Sequence, residues 1–92
     1  MSHKHDAMLQ TLFHDPISGN IHWREVESLL LHLGAKIDPA HGARFHILLN
    51  GIEGFLHHPH HGSALTRDHV KAVREFLTRA GISASHPEGG AT

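Results

Sequence analysis

Cysteine is absent from the chain, so no disulfide and no thiolate metal site is available, and a reducing cytoplasm is the expected location. No apolar run is long enough to span a bilayer, and nothing at the N-terminus has the basic-then-apolar form of a secretory leader. An excess of positive charge is missing too. Eight Lys and Arg stand against nine Asp and Glu, a net charge of −1, so no global field gathers a polyanion and any attraction to nucleic acid has to be local. With 92 residues, 39% of them hydrophobic, what remains is one small soluble domain closing one modest core.

Histidine is what the chain has in abundance. Protonating all 13 imidazoles would carry the net charge from −1 to +12, so the surface potential depends unusually steeply on pH near neutrality. Thirteen is too many for a catalytic role each, and most are surface residues.

The most informative stretch is GARFHILLNGIEGFLHHPHHG, residues 42–62. Two strand-type runs, Ala43 to Leu49 and Ile52 to His58, flank Asn50-Gly51, a dipeptide that accepts the positive φ angles of a two-residue type I′ turn. That turn fixes the register: Leu49 opposes Ile52, His46 opposes Phe55 and Arg44 opposes His57. Alternation then places Phe45, Ile47, Leu49, Ile52 and Leu56 on a core face, and Arg44, His46, Leu48, Glu53, Phe55 and His57 on the other. The second face is either an ordinary solvated surface or one that receives a phosphate-bearing chain.

Met8, Leu9, Leu12 and Phe13 have helical spacing over Ser2 to Phe13, stopped by Asp15-Pro16, with His3 and His5 expected to face solvent. His22 to Leu33 reads as an amphipathic helix. Its buried stripe is Trp23, Val26, Leu29, Leu30 and Leu33, its wet face is Arg24, Glu25, Glu27, Ser28 and His32, and Gly34 stands at the left-handed cap. Ala35 to Asp38 suits a short strand and Pro39 to Gly42 the turn after it. Thr66 caps a final helix from Arg67 to Ala80 with Val70, Val73, Phe76 and Leu77 inward; Gly81 ends it and Ile82 folds back. Residues 83–92 read as a mobile tail. The divisions are thus an N-terminal helix and turn (1–19), an α-β-β-β-α domain (20–82) and the tail. The expected fold class is α+β, a double-stranded-RNA-binding-domain-like sandwich in which a three-stranded antiparallel sheet carries two helices on one face, plus the short extra N-terminal helix.

Between His22 and Ile82, about two thirds of the chain, the order and spacing resemble the HicA family of bacterial toxins, small mRNA interferases with this core. The matching pieces are WREVESLLLHLGAKI, GARFHILLNG, the Pro59-His60-His61-Gly62 run and HVKAVREFLTRAGI. The resemblance implies an endoribonuclease that cuts mRNA without a metal or other cofactor and is neutralised by a HicB-like antitoxin. The family's Gly-Ser-His motif at the start of the second strand carries its catalytic histidine; here the positions read Gly42-Ala43-Arg44. His46, two residues on, or His57, opposite Arg44, can substitute; His61 takes the histidine of the family's Pro-x-His-Gly and joins them as a catalytic candidate, with His60 beside it as an RNA-binding residue.

Metal-free RNA cleavage needs a base for the 2′-hydroxyl proton, an acid for the leaving 5′-oxygen and a cation on the phosphorane. His46 or His57 serves as base and the other as acid, Arg44 as a bidentate phosphate clamp and Phe55 as a stacking surface for a base of single-stranded RNA. Three other readings remain open. Arg44 in place of the family histidine suits a relative that binds RNA or protein without cleaving. His57, His58, His60 and His61, with His41 more distant, offer imidazoles to zinc, nickel or copper. The open face also suits another protein, including a second copy of the chain.

Overall fold

A computed structural model describes residues 3–42, 44–57 and 64–82. Ala43, His58, His60, His61 and the tail, on all of which expectations fell, lie outside the described residues. The elements run α1 (His3–Leu12), α2 (Trp23–His32), β1 (Lys36–Pro39), β2 (Arg44–Leu49), β3 (Ile52–His57) and α3 (Arg67–Arg79). The sheet is antiparallel in the order β1-β2-β3, making the protein α+β with, among the described residues, an open three-stranded sheet and three helices.

Each boundary has a local cause. Asn50 and Gly51 take φ of 53° and 80°, the type I′ pair, and the β2–β3 register runs from Leu49 against Ile52 to Arg44 against His57, as the Asn-Gly turn dictates. The Asn50 Nδ2 also donates to the Ala80 carbonyl at 2.8 Å, which ties the turn to the end of α3. α2 begins where the Glu25 carboxylate accepts the His22 N–H at 3.0 Å. It ends at Gly34, φ 96°, with Ala35 N–H reaching back to the Leu30 carbonyl and Gly34 N–H to that of Leu31. α3 closes the same way at Gly81: Ile82 N–H donates to Leu77 and Gly81 N–H to Thr78, and Ile82 is buried. At its start the Thr66 Oγ1 accepts the His69 N–H, while His69 Nδ1 accepts the Thr66 N–H. Pro39, expected to begin the turn, instead ends β1 opposite Phe45; as the last residue of an edge strand it has no ladder N–H to lose.

The helices cover one face of the sheet, α2 against β1 and α3 against β3, with α1 lying against both helices. Val26, Leu29 and Leu30 from α2, Val70, Val73, Phe76 and Leu77 from α3, and Ile47, Leu49 and Leu56 from the sheet are buried in one core, which Leu9 and Leu12 of α1 join. Trp23 and Leu33 are half-buried, and the Trp23 ring stacks on Phe45 with centroids 5.2 Å apart. Gly54 is where β3 comes closest to α3. A Cβ there would lie 2.7 Å from the Phe76 ring, so a side chain at this position is excluded by the helix packed on it. No helix among the described residues is long and apolar enough to cross a membrane.

α1 departs from expectation. His5 does not face solvent: it is half-buried, its Nε2 hydrogen-bonds the Ser28 Oγ at 2.8 Å, and its ring stacks on His32 at 4.4 Å. The cause is that α1 lies across what was read as the wet face of α2, so that Ser28 and His32 receive a partner. At its other end Arg74 of α3 donates to the Leu12 and His14 carbonyls and pairs with Asp15 at 3.1 Å, past which the chain turns through a cis Asp15-Pro16 bond.

Burial holds the His5 pKa below its ordinary 6.5, and the neighbouring charges of His32 and Lys4 push the same way against Asp6. Below pH 6.5 the unfolded chain therefore binds the proton more readily than the folded one. This contribution to stability is complete above that pH and is lost as pH falls through the folded value. Thermal melts at pH 7.5 and 5.5 should show a smaller acid-induced drop for His5→Gln than for the wild type; equal drops would remove His5 from the account.

Candidate functional site

The face of the sheet away from the helices is laid out by strand register. Antiparallel pairing puts Lys36, Leu48 and Glu53 in one row, Asp38, His46 and Phe55 in the next, and Arg44 beside His57 in the third. Lys36 and Asp38 were not anticipated as members of this face. The signal was available: with Ile37 turned inward, its neighbours on a strand must turn outward.

Side-chain contacts knit the middle of the face together. The Arg44 guanidinium lies over the Phe55 ring, 5.1 Å from its centroid, and its Nε–H donates to the His41 carbonyl at 3.2 Å. Nε is thereby engaged in the protein, and the two terminal nitrogens carry the donors with which an arginine grips a phosphate. Phe55 is 53% exposed, an unusual state for a large apolar ring, and the His46 ring packs at its side with centroids 5.2 Å apart. His46 Nε2 hydrogen-bonds the Glu53 Oε1 at 3.2 Å across the diagonal of the hairpin. The result is a contiguous set of guanidinium, aromatic ring, imidazole and carboxylate.

Of the sequence candidates, Arg44, His46 and Phe55 are thus brought together. His57 shares their face by register, but its ring lies 6.4 Å from that of His69 in the first turn of α3, the planes inclined by 18°. β3 is an edge strand beside α3, so its last side chain meets the helix as well as the sheet. His69 was read only as part of a helix; its place three residues after the capping Thr66 is the signal that fixes its ring there. His60 and His61 lie outside the described residues, as do all but His57 of the four metal-ligand candidates. Among the described residues no three His, Asp or Glu side chains converge on a point where a metal ion could sit.

With both imidazoles neutral, the cations Lys36 and Arg44 on this face are balanced by Asp38 and Glu53. Chemically the set can do three things: fork an anion with Arg44, stack a planar group on Phe55 or on the guanidinium above it, and exchange a proton through His46. No family model, no curated protein and no solved structure matches this chain.

Proposed function

We propose that this chain is a HicA-like toxin with a double-stranded-RNA-binding-domain-like core, a metal-independent endoribonuclease acting on single-stranded mRNA and neutralised by a HicB-like antitoxin that covers the same sheet face. The observation that carries the reading is the convergence of Arg44, His46 and Phe55 on the open face of the sheet. Arg44 supplies the phosphate clamp, His46 the proton acceptor and Phe55 a surface on which a base can stack, with solvent supplying the proton for the leaving 5′-oxygen. The 2′-oxygen attacks phosphorus as His46 takes its proton, the phosphorus to 5′-oxygen bond breaks, and the leaving oxygen gains a proton. Arg44 stabilises the charge that gathers on the phosphorane.

The test is cleavage of labelled single-stranded RNA in excess chelator, beside DNA of the same sequence. RNA should be cut with chelator present and DNA left intact, because only RNA supplies the internal nucleophile. Loss of cleavage in chelator, or equal cutting of DNA, would sink the proposal.

One observation favours a second reading. Among the described residues His46 is the imidazole packed against Phe55, while the His57 ring stands by His69. A face on which Arg44 and Phe55 meet His46 while His57 approaches α3 suits a domain that holds RNA without cutting it. Retained RNA binding by wild-type protein that shows no cleavage would select this reading.

A further inference from the structure

Glu53 has no part in the function proposed above, and its position is costly for it. A carboxylate on a face that receives a polyanion repels the ligand, and at 72% exposure it contributes nothing to the core. Its bond to His46 is also too exposed to matter for folding, where surface pairs are worth up to about 1 kcal/mol. What the bond does is orient the ring. His46 has a second carboxylate nearby, since Asp38 is its direct partner on β1, yet the hydrogen bond runs diagonally to Glu53 on β3.

We infer that Glu53 is a positioning residue for His46, accepting the Nε2–H so that Nδ1 is presented as the atom that takes the 2′-hydroxyl proton. The catalytic consequence rests on the ribonuclease reading; the orientation of His46 does not. In the step itself the 2′-oxygen to hydrogen bond breaks, its proton goes to Nδ1, the oxygen bonds to phosphorus and the 5′-oxygen leaves with a proton from solvent. The imidazolium so formed faces the Glu53 carboxylate, which stabilises it at the moment the charge appears, as the acid of a catalytic triad does for its histidine. Arg44, on the opposite side of His46 from Glu53, keeps the phosphate at the cationic end of the face.

This assignment separates binding from turnover. Glu53→Gln removes a negative charge from an anion-binding face, so its affinity for 2′-O-methyl RNA, which cannot be cut, should be unchanged or higher. Cleavage of ordinary RNA at saturation should nevertheless slow by about tenfold, part of what one proton-transfer group contributes. In a His46→Ala background the same change should have no further effect on cleavage, because Glu53 acts through the ring. If Glu53→Gln cleaves faster in proportion to tighter binding, or slows the His46→Ala protein by the same factor, the inference is overturned.

A second measurement is independent of activity. Three-bond NMR couplings of His46 should report one side-chain rotamer in the wild type and averaging in Glu53→Ala. Averaging already present in the wild type overturns the positioning role whether or not RNA is cut. A wild-type protein with one rotamer but no chelator-resistant cleavage would instead overturn the ribonuclease reading, and with it the catalytic use of an orientation that Glu53 still provides.

Discussion

Replacing His46 by alanine is expected to slow cleavage of single-stranded RNA by about a hundredfold or more, the usual contribution of a positioned general base. That factor corresponds to about 2.7 kcal/mol of transition-state stabilisation. The fold should not pay for it, because His46 is partly exposed on a sheet face that no helix covers among the described residues, and such substitutions usually change stability by about 0.5 kcal/mol or less. Coincident melts of variant and wild type are therefore part of the expected result.

His57→Ala makes the comparison informative. His57 sits at the rim of the same face with its ring by His69, outside the Arg44, Phe55 and His46 cluster. Its loss should weaken RNA binding more than it slows saturated turnover, since it removes a hydrogen-bonding ring at the rim of the face without removing the proton acceptor. The reverse pattern, turnover abolished by His57→Ala and untouched by His46→Ala, would move the chemistry to the junction of β3 with α3.

The second large effect concerns stability. Gly54→Ala is expected to cost about 3 kcal/mol, at the upper end of what overpacking a core does. The added Cβ would stand 2.7 Å from Phe76 Cδ1, 3.0 Å from Cε1 and 3.3 Å from the Arg79 guanidinium. The arginine is flexible and can move away. The Phe76 ring is 1% exposed and held by the rest of the core, so relief has to come from shifting α3 off the sheet. For a domain this small, a loss of that size lowers the melting temperature by more than about 10 °C. Adding Phe76→Leu to Gly54→Ala should recover part of it, with a coupling of about 1 kcal/mol or more in a double-mutant cycle. Strictly additive effects would mean that the two positions do not touch as described.

The hairpin and the two long helices were legible in the sequence because each is specified locally. Asn50-Gly51 admits few turns, alternation then assigns every side chain of β2 and β3 to a face, and Gly34, Thr66 and Gly81 mark helix ends by their own chemistry. What was not legible depends on residues far apart in the chain. Nothing near His5 signals that α1 will lie against Ser28 and His32, and nothing near Leu12 names Arg74 as the partner of its carbonyl. Gly54 reads as an ordinary strand residue until Phe76 is placed over it.

The candidate site shows the same division. Register put Arg44, His46 and Phe55 on one face from sequence alone, but alternation says nothing of diagonals. The bond from His46 to Glu53 therefore had no sequence signature, and neither did the approach of His57 to His69, which follows from the packing of an edge strand beside a helix.

The fastening of α1 has a consequence for the order in which the protein comes apart. Its attachments join Leu12 and His14 to Arg74, residues 62 and 60 positions away, and His5 to Ser28, 23 positions away, whereas the hairpin closes over two residues. Contacts that span so much chain close late, so the docking of α1 is expected to follow the formation of the hairpin. One of the two fastenings is a histidine stack, which acid weakens. Acid therefore loosens the His5 end of α1, so the helix should peel from its N-terminal end.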